Sequence, residues 1–209
     1  MVAAEVDKGE LRVLGLFAEL LDYPHSHLAQ TARECSAAVA VTNAEAATRL
    51  DEFAAFVERS SFDMLEEIYT ATFDLNASRH PYIGYHLFGE AYKRSVFMLE
   101  LKDRYAKYGF DFGAELPDHV SVMLRFMAMC PSEEVVAELA REALLTTLEP
   151  MMAPAELESL EDDERPPIFD VGDDYSRVLD ALRLVLLARF GAPAELEVIP
   201  VPDQSRLVS

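Results

Sequence analysis

The chain has 209 residues, of which 51% are hydrophobic and 27% charged, and its 38 acidic residues outnumber 18 basic ones for a net charge of −20. This length suffices for one sizeable core and predicts a single domain over residues 1–209. The negative charge disfavours nucleic acid and anionic lipid as partners and favours a basic peptide. The alternative is that the acidic residues only keep the chain soluble.

Four helices are predicted in the N-terminal part of the chain. Apolar residues at helical spacing occupy residues 11–21, and Pro24 follows as a stop. A second helical pattern runs over about 26–41, and a third follows Asn43, a good N-cap. The fourth runs over 61–73 and begins at a serine cap.

The longest predicted helix is opened by Pro81 and ends at Gly109, which suits a left-handed C-cap. One stripe of this helix is apolar and is expected to face the core: Leu87, Ala91, Met98, Leu101, Tyr105 and Tyr108. Two further helices are predicted, over 117–129 with a proline in the first turn and from Ser132 to about residue 148.

The C-terminal part combines an acidic connector with a last helix. Residues 153–174 contain nine acids and one base, which predicts a flexible linker within the domain. Residues 175–190 predict a helix with Gly191 after it, and the chain from about 191 is expected to be a loose tail. No run predicts a strand, so the expected fold is an all-α, single-domain helical bundle.

Cysteine spacing and hydropathy limit the class of protein further. Cys35 and Cys130 are far apart and lack metal-ligand spacing, which predicts buried thiols rather than a zinc site or a disulfide. No stretch approaches the roughly 20 apolar residues that span a bilayer, and the first ten residues do not resemble a targeting segment. We therefore expect a cytoplasmic protein without membrane insertion.

Common enzyme motifs are absent: there is no phosphate-binding loop, dinucleotide glycine motif, His-Glu-x-x-His or Gly-x-Ser-x-Gly. His86 and Glu90 lie one predicted helical turn apart and are the best metal candidates, yet two ligands do not complete a site. We expect no catalytic residue, metal or cofactor. The segment 115–119 indicates, by residue chemistry alone, a proline-started helix in which Asp118 caps free N–H groups.

Four sequence blocks occur in order along the chain. They are Leu20-Leu21-Asp22-Tyr23-Pro24, Tyr69-Thr70-Ala71-Thr72-Phe73-Asp74, His86-Leu87-Phe88-Gly89-Glu90 with Lys93-Arg94, and Glu115-Leu116-Pro117-Asp118-His119. Together they resemble the NarJ/TorD family of molybdoenzyme assembly chaperones, most closely its NarJ branch, the nitrate reductase delta subunits.

The resemblance implies an all-helical chaperone, not an enzyme. Such a protein binds the N-terminal or signal region of the catalytic subunit of a molybdopterin oxidoreductase, nitrate reductase-like, and holds it for molybdenum cofactor insertion. We expect a monomer or a weak dimer. Phe88 stands where some nitrate reductase chaperones have a second histidine, so the identity of the client stays open.

The client-binding surface implied by the resemblance has two parts. They are Tyr85, His86, Phe88, Gly89 and Glu90 on the long helix, and Glu115, Leu116, Pro117, Asp118 and His119 in the loop. Carboxylates there would pair with basic groups of a peptide, and aromatic and leucine side chains would hold apolar groups. Close approach of a helix or peptide would explain Gly89 within a helix. Asp118 and His119 are expected near the surface.

Two other functions are compatible with the sequence. One is a small helical metalloprotein that uses His86, Glu90 and His119, with His80 as a further ligand. The other is a permanent structural subunit of a redox complex.

Overall fold

Helices make up nearly all the regular structure of the computed structural model, which describes residues 8–75, 79–152 and 173–193. In chain order they are α1 Lys8–Leu20, α2 Leu28–Val39, α3 Ala44–Arg59, α4 Phe62–Tyr69, α5 Ile83–Phe88, α6 Tyr92–Lys107, α7 Val120–Met129, α8 Glu133–Glu138, α9 Leu145–Met152 and α10 Asp173–Phe190. There are also two π-helical turns: the first, Thr70–Asp74, follows α4, and the second, Leu139–Leu144, connects α8 to α9. These residues form no β-strand, and the predicted all-α fold is confirmed. Nearly all of the predicted acidic linker and C-terminal tail lies outside the described residues.

The core forms where α1 packs against α2 and α7, and where α3 packs against α2 and α10. Tyr175 of α10 is fully buried, and its ring lies 5.2 Å from that of Phe53, 5.7 Å from Tyr69 and 5.1 Å from Phe73, measured between centroids. Such aromatic contacts stabilise beyond the area they bury. They connect α10 with α3, α4 and the first π-helical turn.

Local capping explains where several helices begin. The side chains of Asn43, Ser61 and Ser132 each accept a hydrogen bond from the backbone N–H three residues further on. Gly109 follows α6 with a φ of 67°, which only glycine adopts readily. The predictions of these caps are confirmed.

The predicted long helix between Pro81 and Gly109 is wrong, because it consists of the two helices α5 and α6. Gly89 ends α5 with φ 63° and ψ −156°, a conformation that side-chain-bearing residues avoid. A Cβ on Gly89 would meet nothing within 4 Å, so close approach of another element does not explain this glycine. The predicted apolar stripe holds for Leu101 and Tyr105, which are buried, whereas Ala91 is exposed between the two helices.

Cys35 and Cys130 are free and buried, as predicted. Burial raises the pKa of the Cys35 thiol to about 12, because the interior disfavours a thiolate. Within the described ranges, every helix is too short or too polar to span a bilayer.

Candidate functional site

The loop before α5 and the loop before α7 pair through their backbones. The N–H of Ile83 donates to the carbonyl of Asp118, and the N–H of Val120 donates to the carbonyl of Pro81, each at 2.8 Å. This isolated antiparallel bridge joins Tyr82 to His119, whose rings pack edge to face with centroids 5.4 Å apart. The pairing therefore places the start of α5 beside the 115–119 loop.

Asp118 is fully buried and forms an ion pair with Arg94 of α6. The Nε of Arg94 donates to Oδ2 of Asp118 at 2.9 Å, and the two side chains are 18% and 0% exposed. The guanidinium also lies over the ring of Tyr82, 5.4 Å from its centroid. Because a buried carboxylate is costly unless it is paired, this ion pair fixes the start of α6 to the loop. No described residue donates a hydrogen bond to the other oxygen, Oδ1.

Gly84 is the glycine that close packing requires. A Cβ at this position would lie 2.7 Å from Oδ2 of Asp118 and 3.0 Å from Cδ1 of Phe97. Contacts this short force the neighbours to move, and the nearest neighbour is half of a buried ion pair. The close approach that the sequence suggested for Gly89 belongs to Gly84.

His119 is the N-cap of α7. Its Nδ1 accepts a hydrogen bond from the N–H of Ser121 at 3.2 Å and lies 2.8 Å from the hydroxyl of the same residue. An accepting Nδ1 carries no proton, so neutral His119 bears its proton on Nε2. Burial lowers the pKa of His119 and outweighs the opposing effect of the nearby Glu115 and Asp22 carboxylates. The prediction that Asp118 caps the helix is wrong.

Asp118 and His119 are not near the surface, contrary to expectation. They are 0% and 4% exposed, and Pro117 is buried beside them. The hydroxyl of buried Tyr105 donates to the carbonyl of Pro117 at 2.7 Å. The loop is therefore bound to the core side of α6 as well as to the loop before α5. The helix predicted over 117–129 accordingly begins at Val120.

The predicted metal pair His86 and Glu90 is not brought together on one helix. His86 is half-buried, and its Nε2 donates to the carbonyl of His80 at 2.7 Å, whereas Glu90 is exposed beyond the end of α5. Burial is the main cause that lowers the pKa of His86. Among the described residues, no three His, Cys, Asp or Glu side chains are grouped so that they could hold a metal ion.

The predicted site residues differ in their exposure. The half-buried ones are Tyr85, His86, Phe88 and Gly89. The exposed ones are Glu90, Glu115 and Leu116, and the buried ones are Pro117, Asp118 and His119. The sequence interpretation missed four residues that organise this region: Tyr82, Gly84, Arg94 and Tyr105. The Lys93-Arg94 pair within a matched block was the available signal for one of them.

A cleft of about 200 Å³ opens between α5, α6 and the second π-helical turn. Its floor is apolar and contains Leu87, Phe88, Phe97, Leu101, Leu139 and Ala143. Its rim contains three carboxylates, from Glu100, Glu138 and Glu142, and one guanidinium, from Arg104. We call this feature the acidic cleft. Phe88, whose ring lies 5.6 Å from that of Phe97, is the predicted site residue that lines it.

A larger depression of about 840 Å³ lies between α1 and α2. Its two carboxylates already have partners: Glu34 pairs with Arg12 at 3.1 Å, and Glu19 accepts a 3.4 Å hydrogen bond from Thr31. Because its acidic groups are engaged and a larger share of its lining is polar, it suits a basic-apolar peptide less well than the acidic cleft does.

Comparisons with known proteins agree with this architecture. The family model of the nitrate reductase delta subunit matches residues 37–163. The nitrate reductase molybdenum cofactor assembly chaperone NarJ of Escherichia coli K12 is 27% identical over 127 residues, which are 59% of this chain and 54% of NarJ. NarJ of Escherichia coli O157:H7 matches with the same figures. The chain thus spans about half the length of the curated relatives it matches.

The fold also has a relative among solved structures. A crystal structure described as a redox enzyme maturation protein of Archaeoglobus fulgidus matches with a TM-score of 0.55 and 22% identity. The match covers 88% of this chain and 95% of the other, so it supports the helical fold over most of the sequence.

Proposed function

Since the chain belongs to the nitrate reductase delta subunit family, we propose that it is an assembly chaperone for the catalytic subunit of a molybdopterin oxidoreductase. In this proposal it binds the N-terminal region of that subunit in the cytoplasm and holds the subunit while the molybdenum cofactor is inserted. Its activity is recognition without covalent chemistry. The two Escherichia coli relatives are nitrate reductase molybdenum cofactor assembly chaperones, which supports this role.

The observation that carries the proposal is the acidic cleft. Its phenylalanine and leucine floor suits an apolar peptide side chain, and the carboxylate of Glu142 on its rim suits an arginine or lysine beside it. A net charge of −20 adds attraction for a basic peptide over about a Debye length, roughly 10 Å at 0.1 M salt. A peptide that combines basic and apolar residues satisfies both parts of the cleft.

Seven of the ten residues that the sequence assigned to the site take one of two roles in this proposal. Phe88 contacts the peptide, and the exposed side chains Glu90, Glu115 and Leu116 extend the surface beyond the cleft. The buried Asp118 and its neighbours Pro117 and His119 position α5 and α6 from within. The second group acts on client binding through the fold.

A binding assay with designed variants tests the proposal. The probe is a fluorescein-labelled peptide comprising the first 20 or so residues of the nitrate reductase-like molybdopterin oxidoreductase subunit of the same organism, titrated by anisotropy at low and high salt. Glu142→Lys replaces attraction by repulsion, and charge-assisted hydrogen bonds contribute about 1.5–3 kcal/mol, so affinity should fall about tenfold or more. Phe88→Ala should weaken binding through loss of apolar contact.

Glu34→Lys is the matched control, because it makes the same charge change outside the acidic cleft, at a side chain of α2 that is 41% exposed. It should reduce affinity far less than Glu142→Lys. Equal effects of the two variants would mean that only net charge matters and would contradict recognition at the cleft. Absence of any peptide binding, together with no copurification of a large molybdoenzyme subunit, would refute the chaperone function. One-to-one presence in the mature oxidoreductase would assign a permanent subunit instead.

A further inference from the structure

Helix α6 has an apolar stripe that faces solvent. Tyr92, Val96 and Leu99 are 83%, 37% and 59% exposed, and their spacing of four and three residues places them on one face. The opposite face of α6 already packs into the core through Leu101 and Tyr105. Among the described residues the exposed stripe is therefore not part of the core, and contiguous exposed apolar residues commonly mark an interaction surface.

The charges beside the stripe are complementary to the same charges on a second copy of the chain. Lys93 and Glu100 are exposed, two helical turns apart, and therefore stand on the same flank of α6. The midpoint between them falls next to Val96, which is also the middle of the stripe. When two copies of α6 run antiparallel about a twofold axis at Val96, Lys93 of each copy comes opposite Glu100 of the other. An isologous interface forms this pair twice.

The local charge also favours this surface over the rest of the molecule. Helix α6 carries five basic and two acidic residues in a chain of net charge −20. Two of the bases, Arg94 and Arg104, are paired with carboxylates of other segments. Three lysines and two acids remain, so the exposed face is close to neutral. Two strongly acidic chains approach each other there with the least repulsion.

We propose that the chain forms an antiparallel homodimer through α6, with Tyr92, Val96 and Leu99 at its centre and reciprocal Lys93–Glu100 pairs on one flank. Three apolar side chains from each copy bury less area than a stable interface of about 1,200–2,000 Å² requires, so the dimer is weak and forms reversibly. Its partner is a second copy of this chain and not the client.

Sedimentation velocity of the full chain, from about 5 to 500 μM at about 0.15 M salt, tests the proposal. The wild type should shift from monomer toward dimer across this range, whereas Leu99→Glu should remain monomeric throughout. Because Leu99 is 59% exposed, this substitution should leave the thermal unfolding curve unchanged, which circular dichroism checks. Binding of the labelled client peptide should also be retained by Leu99→Glu.

A charge exchange makes the test specific for the antiparallel arrangement. Lys93→Glu alone and Glu100→Lys alone should each weaken dimerisation about tenfold, because two attractive contacts become repulsive. The double variant K93E/E100K should restore the wild-type constant. A wild type that stays monomeric to 500 μM would overturn the proposal, as would a double variant that fails to restore the dimer. A monomeric wild type whose Leu99→Glu variant loses the client peptide would assign the stripe to the client instead.

Discussion

The ion pair between Arg94 and Asp118 gives the sharpest prediction for the fold, tested by Arg94→Met. Methionine keeps most of the aliphatic stem that packs near Gly84 and removes the guanidinium. The carboxylate of Asp118, which is 0% exposed, then loses the cation that pairs with it. The variant therefore isolates the electrostatic contribution of the pair.

The size of the effect follows from the burial of the pair. Removing one partner of a buried ion pair costs about 3–5 kcal/mol. The side chain of Arg94 is 18% exposed, so the effect should fall at the lower end of this range. We therefore expect Arg94→Met to lower the free energy of unfolding by about 3–4 kcal/mol. For a chain of this length, that corresponds to a Tm lower by roughly 6–16 °C.

Urea unfolding followed by circular dichroism at pH 7 measures this loss. Arg125→Met is the matched control, because Arg125 pairs with Asp22 at 3.5 Å with both side chains more than 40% exposed, and it should cost less than about 1 kcal/mol. A double-mutant cycle with Asp118→Asn should give a coupling energy of about 2 kcal/mol or more. A loss below about 1 kcal/mol for Arg94→Met, or a coupling near zero, would refute the assignment of the pair as a stabilising contact.

Three further predictions concern the glycines and the pH dependence of stability. Gly84→Ala should destabilise the protein by about 1–3 kcal/mol, because its Cβ would lie 2.7 Å from a buried carboxylate oxygen. Gly15→Ala is the control, since its Cβ would meet its nearest atom at 3.8 Å, and it should stabilise α1 by up to about 1 kcal/mol. Thermal unfolding distinguishes the two effects. Gly89→Ala should destabilise by about 1–3 kcal/mol through its φ of 63°, and a Tm equal to that of the wild type would contradict the helix break. Burial lowers the pKa of His86 and His119, so the unfolded chain binds more protons than the folded one. The stability that the two neutral histidines contribute is therefore fully present above about pH 7 and is lost as the pH falls through 6.5. His119→Asn keeps a capping acceptor and should reduce the pH dependence of the urea unfolding midpoint measured from pH 8 to 5.5.

Local signals in the sequence predicted the helices well because helix capping and periodicity are local properties. Asn43, Ser61 and Ser132 act within four residues of their own positions, so their caps were visible without tertiary information. The break at Gly89 was missed for the same reason. Apolar residues continue at helical spacing across it, and a glycine inside a helix costs only about 1 kcal/mol, so nothing local distinguished a tolerated glycine from one with positive φ.

The arrangement of the candidate site could be predicted only in part, because the residues that bury it are distant in sequence. Aspartate and histidine beside a proline usually indicate an exposed helix start. Here the backbone pairing with residues 81–83, the guanidinium of Arg94 and the hydroxyl of Tyr105 enclose Asp118 and His119. The acidic cleft depends on the same kind of information, since the second π-helical turn supplies one wall to residues of α5 and α6.

This burial changes what mutagenesis of the 115–119 segment can establish. Replacing Asp118 and His119 together removes a buried ion pair and a helix cap at once, so the variant should be destabilised rather than remain folded. Loss of client maturation in that variant would then follow from unfolding whether or not either side chain contacts the client. Glu142 and Phe88 discriminate better, because one is exposed and the other half-buried in the acidic cleft. A folded Glu142→Lys variant that fails to bind the peptide assigns recognition to the cleft, whereas Asp118 can be assigned only to its support.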